Sequence, residues 1–141
     1  MTKWKLNYFI FTIIAISFVF STSLYVYADN FSSFSTDTET DGANSFTELE
    51  GARGVDTFVI GSNTYAIVVS KTDDGIQIVD ISDPTTLVAK DAETDGANGF
   101  TELNGASSVA TFVIDSNTYA IVASKDDDGI QIVDISAVSY T

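Results

Sequence analysis

Residues Thr64–Ile81 read TYAIVVSKTDDGIQIVDI. Two apolar, β-branched runs flank an Asp-Asp-Gly turn, and each run is too short for a helix of ordinary length. Asp-Gly between such runs is a strong hairpin signal, because glycine takes a positive φ without strain. The stretch therefore predicts two antiparallel strands, Thr64–Ser70 and Ile76–Ile81. Upstream, Val55–Ile60 predicts a strand closed by the turn-forming cluster Gly61-Ser62-Asn63. Downstream, Ser82-Asp83-Pro84 ends the third strand, and a weaker, more polar fourth strand follows over Thr86–Asp91. The only proline falls between strands, where its missing N–H breaks no ladder.

This unit occurs twice. Residues 39–82 align with residues 93–136 at an offset of 54, and 36 of the 44 positions are identical. The differences are Ser45→Gly99, Glu50→Asn104, Arg53→Ser107, Gly54→Ser108, Asp56→Ala110, Gly61→Asp115, Val69→Ala123 and Thr72→Asp126. All but Val69 are expected in loops or near strand ends, where substitution costs least. The second unit repeats the strands at Val109–Ile114, Thr118–Ser124 and Ile130–Ile135. The organisation read from the chain is a signal segment over residues 1–28, an N-terminal segment over 29–38, a first module over 39–92 and a second over 93–141.

The first segment has the marks of a secretory signal. Lys3 and Lys5 precede an apolar stretch from Tyr8 to Phe20, and Val26-Tyr27-Ala28 supplies a cleavage site before Asp29. The alternative is a retained anchor, since Tyr8–Ala28 approaches the roughly 20 residues a bilayer span needs. Either way the remainder is exported. From Asp29 onward only Arg53, Lys71, Lys90 and Lys125 stand against all 20 acidic residues, a formal charge of −16. So negative a surface repels phosphate backbones and excludes nucleic acid as a partner. It disfavours anionic headgroups too, so a membrane enters only through a retained N-terminal segment. With no cysteine, stability comes from packed strands, bound ions or association rather than disulfides.

The chemistry-bearing residues are few in kind. There is no histidine and no cysteine, which removes Ser-His-Asp and Cys-His nucleophile systems and the usual zinc and copper ligand sets. The acids recur in duplicated turns, whereas catalytic sites are normally single, so the chain reads as non-catalytic. Calcium is the cofactor the acidic loops fit best, since it takes six to eight hard oxygen ligands. The candidate ligands are Asp41, Asn44, Glu48, Asp73 and Asp74 in the first module, and Asp95, Asn98, Glu102, Asp126, Asp127 and Asp128 in the second. Their spacing does not match an EF-hand, and the same residues are favoured in turns for their tolerance of the left-handed region. Asp80 and Asp134 interrupt apolar strands and are expected to face solvent or accept backbone N–H bonds. Tyr65 and Tyr119 are expected in the core, and Phe46 and Phe100 as plugs between modules. Asn30-Phe31-Ser32 is a glycosylation sequon.

Four short antiparallel strands per unit of this length is the arithmetic of a propeller blade. The segments Tyr65-Ala66-Ile67-Val68 and Gly75-Ile76-Gln77-Ile78-Val79-Asp80-Ile81-Ser82-Asp83-Pro84 resemble the LVIVD-type β-propeller repeat of secreted and cell-surface proteins. Tyr119–Val122 and Gly129–Ser136 repeat them, departing at Ala137-Val138 where the first copy has Asp83-Pro84. The resemblance implies an all-β fold of two four-stranded antiparallel propeller-type blades, a partial β-propeller, after an N-terminal signal helix. A β-sandwich or a stacked β-repeat is the alternative. The implied function is a secreted or surface module for binding or self-assembly, with a calcium-dependent adhesion or matrix component as a second reading and a truncated fragment of a longer propeller as a third. Its partners are further copies or other propeller blades, or an extracellular protein or glycan. Rings usually hold about 4–8 blades. At the 54-residue offset, Phe31–Glu39 corresponds to Thr85–Glu93, the fourth-strand region. Phe31–Asp37 is thus expected to close the second module's open edge in another chain.

Overall fold

The computed structural model describes residues 34–137. The signal segment, the Asn30 sequon and residues 138–141 lie outside the described residues, as does the first part of the expected swapped strand.

The described chain is all-β and holds two antiparallel sheets. The first is a four-stranded meander of β1 (Ala52–Ile60), β2 (Asn63–Ser70), β3 (Gly75–Asp80) and β4 (Val88–Thr94). The second has β5 (Ala106–Ile114), β6 (Asn117–Ser124) and β7 (Gly129–Asp134) in that order. The registers match at the repeat offset. Phe58 opposes Tyr65, Tyr65 opposes Asp80 and Ile67 opposes Ile78 in the first sheet; Phe112, Tyr119, Asp134, Ile121 and Ile132 repeat this in the second. Among the described residues, the outer edge of β7 has no partner strand.

Three details differ from the sequence reading. The first strand of each module starts earlier, at Ala52 and Ala106, through a bulge before Gly54 and Ser108. Arg53 and Gly54 therefore lie inside a strand rather than in a loop, and Asp56 lies in its middle rather than near its end. The fourth strand is displaced to Val88–Thr94 because the donors before it are engaged elsewhere. Thr86 N–H donates to the Asp83 carbonyl, closing a turn around Pro84, and Leu87 N–H donates to Asp37 Oδ2 at 2.6 Å. In the β2–β3 turn, Asp74 takes the positive φ of 54° and Gly75 does not. Glycine is needed at 75 for a different reason: a methyl group there would collide with the Glu48 carboxylate and the Glu93 carbonyl.

The pleat sends alternate residues to opposite faces. On the first sheet, Phe58, Tyr65, Ile67, Val69, Ile76 and Ile78 form a front face. It packs against the back face of the second sheet, made of Leu103, Ala106, Ala120, Val122, Val133 and Ile135, and together they are the main core. β5 lies across β1 and β2. Phe58 and Tyr65 stack with ring centroids 5.4 Å apart, and the Tyr65 hydroxyl accepts from Asn63 Nδ2 at 3.2 Å. Behind the first sheet, Phe46, Ala66 and Val79 form a smaller cluster with Leu49, Ile81, Leu87 and Ala89. Phe100 packs on the core between the sheets, whereas Phe46 belongs to the rear cluster and separates no modules.

Identical side chains in the two modules thus have different surroundings. Ile78 is 3% exposed and its repeat equivalent Ile132 is 59% exposed. Ile78→Ala is expected to destabilise by about 2–5 kcal/mol, and Ile132→Ala by less than about 1 kcal/mol in the isolated chain. Urea unfolding of the two variants checks the asymmetry.

Candidate functional site

The loops that lead into β1 and β5 carry six of the eleven candidate residues, Asp41, Asn44, Glu48, Asp95, Asn98 and Glu102. Thr40–Phe46 and Thr94–Phe100 fold alike. Gly42 and Gly96 N–H donate to the carbonyls of Phe46 and Phe100, both at 2.7 Å, and Phe46 and Phe100 N–H return to Ala43 and Ala97. Asn44 and Asn98 sit in the left-handed region at φ 49° and 50°, where asparagine is tolerated. Their amides donate to Glu39 and Glu93 carboxylates at 3.0 and 2.9 Å.

Most of the acids are committed to backbone donors. Asp41 and Asp95 accept from the N–H groups of Leu49 and Leu103 at 3.1 and 3.0 Å. Asp73 and Asp127 accept from Glu50 and Asn104 N–H at 2.6 and 2.9 Å. Asp74 reaches the other module, accepting from Gly105 N–H at 2.7 Å. Asp126 faces Lys71 across the modules at 3.9 Å. A carboxylate holding loop N–H groups is a charge-assisted cap, and this use recurs in both copies. Asp80 and Asp134 accept from Ser82 and Ser136 N–H, each at 2.9 Å. Asp80 is held below the usual carboxylate range by the Ser82 hydroxyl, then the Ser82 N–H and Lys90.

Two acids depart from that pattern. Glu48 is 8% exposed; its Oε1 accepts from the Thr94 hydroxyl at 2.6 Å, while Oε2 has no partner among the described residues. Burial raises its pKa, helped by repulsion from Asp73, Asp41 and Asp74. Glu50 joins Asp41 and Asp73, with one carboxylate oxygen from each lying within 4.8 Å of the others. Sequence reasoning missed Glu50, because its counterpart is Asn104 and a search for duplicated ligands passes over it. Asn44, Glu48 and Asp74 do not belong to that trio.

The contact between modules is polar at its rim. Asp56 Oδ2 accepts from Thr111 N–H at 2.6 Å and from its hydroxyl at 2.9 Å, and the Thr111 N–H leads the effects that lower the Asp56 pKa. Buried Gln77 spans β4 and the loop, donating to the Asp91 carbonyl at 2.8 Å and accepting from Thr47 N–H at 3.1 Å. Gln131, its equivalent, donates to Gly99 O instead. A cavity of about 160 Å³ opens between β3–β4 and β7, with Ile76, Ile78, Phe100, Val133 and Ile135 as its apolar floor and Asp91, Glu93 and Asp134 among its other lining residues. No protein-family model matches the chain, and no curated protein shows significant similarity to it.

Glu48 yields a prediction of definite sign. Its folded-state pKa is raised, so the neutral acid favours folding. That contribution is full below the unfolded pKa and is lost as pH rises through the folded one. Glu48→Gln keeps an acceptor for Thr94 and is expected to stabilise by about 1–2 kcal/mol at neutral pH, where burial penalises the ionised form of the half-satisfied wild-type carboxyl. Near pH 4 the difference should vanish. Urea midpoints at the two pH values check this.

Proposed function

We propose that this chain is a non-catalytic, secreted or cell-surface repeat protein of the β-propeller kind, whose work is binding, and in the first place binding to further copies of itself. In this reading each sheet is a blade, β4 is the outermost strand of the first, and the LVIVD-type motif at Gly75–Pro84 and Gly129–Ser136 is the repeat signature. Export follows from the segment over residues 1–28. The lack of histidine and cysteine supports a binding role over a nucleophilic one.

The observation that carries the reading is a strand and an edge that match. β4 has a local signature: Ala92 N–H donates to Asp91 Oδ1 at 3.0 Å, and Asn98 Nδ2 to Glu93. One repeat earlier, Thr38 N–H donates to Asp37 Oδ1 at 2.9 Å and Asn44 Nδ2 to Glu39. Residues 35–40 thus carry β4's local bonding while belonging to neither sheet, and β7 offers the edge that β3 gives to β4. Strand donation between copies satisfies both sets of backbone groups.

Light scattering at micromolar concentration should give a mass above that of one chain. Because the copies are strongly acidic, raising ionic strength from about 20 mM to about 0.5 M should strengthen association by screening repulsion. A monomer at every salt and concentration overturns the reading.

A second reading, a calcium-dependent version of the same role, is favoured by the Asp41–Glu50–Asp73 trio. Calcium titration by calorimetry is expected to show one site per chain, with a Kd of about 10⁻⁴–10⁻³ M as in extracellular modules, abolished by Glu50→Asn. Absence of binding, or binding untouched by that substitution, removes it.

A further inference from the structure

Two sheet faces are left open at opposite ends of the molecule, the front of the second sheet widely and the back of the first in part, where the rear cluster covers Ala66 and Val79, and they are the same two faces that bury each other in its middle. On the front face of the first sheet, Ile76 and Ile78 are 2% and 3% exposed beneath the second sheet. Their equivalents Ile130 and Ile132 are 65% and 59% exposed on the front of the second sheet, and Ile114 is 54% exposed where Ile60 packs on the core. The back faces show the reverse. Leu103, Ala106 and Val122 are fully covered in the second sheet, whereas in the first Leu49 and Val68 are half-buried and Ala52 is exposed. Val55 is 65% exposed where Val109 packs on the core.

We infer that the front face of the second sheet docks on the back face of the first sheet of another copy, reproducing between chains the contact that joins the two modules within one. This rests on the self-assembly reading and specifies its interface. The contact is heterologous, so repetition builds a closed ring or an open stack, never a symmetric face-to-face dimer. It also brings residues 35–40 of the second copy alongside the β7 edge, as β4 lies alongside β3 within the chain. Asp128 then meets the Gly51 N–H, as Asp74 meets that of Gly105. Gln131 exchanges Gly99 O for the carbonyl of Asp37, as Gln77 binds that of Asp91.

Three of the differences between the repeats fall on this contact. A Cβ added at Gly54 would lie 3.0 Å from its own Val69 Cγ2 and 3.2 Å from Ser108 Cα across the interface. In the second module a Cβ is present, as Ser108, and the residue in Val69's place is Ala123, which has no Cγ2. Ala123 thus returns the room lost within the sheet, and the docked backbone has to give by a few tenths of an ångström to accept the Ser108 Cβ. Ala110, in place of Asp56, has no carboxylate to offer Thr57 of the docked copy, so the contact between chains lacks the bond that Asp56 makes to Thr111.

The test uses the chain expressed in full and purified as the cell leaves it. Ile132→Lys breaks the front face and Val55→Lys the back face, both at exposed positions where folding is not at stake. Each variant alone is expected to run at the mass of one chain, with the circular dichroism and unfolding midpoint of wild type. Mixed, they should give a 1:1 dimer that grows no further, because each supplies the intact face the other lacks. Cysteine pairing fixes the register: chains with Ala110→Cys should cross-link to chains with Thr57→Cys, the equivalents of the bonded Asp56 and Thr111, and neither should cross-link to itself. If wild type associates but both lysine variants associate equally well, or Ala110→Cys chains link to one another, this interface is wrong and self-assembly stands. If wild type is monomeric, self-assembly itself falls.

Discussion

The structure depends on the burial of one sheet face against the next. Twelve side chains, six from each module, make up the main core, and no disulfide supplements them. A single sheet with both faces wet buries too little apolar surface to offset its ordering entropy. The first sheet acquires a dry front only because the second lies on it. Each module is therefore half of a stable object, and the energetic logic is that of stacked repeats, in which stability resides as much in the interfaces as in the units.

That apolar contact has to hold in a chain whose charges repel. The fold meets this by giving many of its carboxylates a local donor. Asp41, Asp73, Asp95 and Asp127 cap loop N–H groups, and Asp74 and Asp56 carry the same bond across the module boundary. Much of the negative charge that looks on paper like a ligand set is thus engaged in fixing backbone geometry, and Asp56 is held below the usual carboxylate range by its bond to Thr111. Glu48 is the exception: buried, half-satisfied and surrounded by other acids, it is a stability liability in the charged form.

The elements are legible in the sequence because two signals agree. Short β-branched runs bounded by turn residues mark the strands, and the 54-residue repeat makes the first three assignments twice. The edges are less legible. Nothing in Thr85–Leu87 announces that its N–H groups go to Asp83 and to Asp37, fifty residues away, so the fourth strand is expected too early. The acidic loops are legible as turns but not as anchors, since Asp74 finds Gly105 only through the packing of one sheet on another. Glu50 is invisible for the opposite reason: reading by duplication discards whatever the two copies do not share.

Those unshared positions carry the physical information that the repeat conceals. Of the eight differences, Gly54, Asp56 and Val69 lie on the front face, covered in the first module and bare in the second. Gly54 is tight against the neighbouring backbone, Asp56 bonds into it, and Val69 is fully buried. The second copy changes all three, while the five front-face residues Phe112, Tyr119, Ile121, Ile130 and Ile132 are kept identical to their counterparts. A face relaxing into solvent would be free to replace Ile130 and Ile132, the two that cost most to expose. Retention of the large apolar residues together with a paired adjustment at Ser108 and Ala123 is what a covered face requires, and it is the strongest argument that the bare sheet is bare only in the isolated chain.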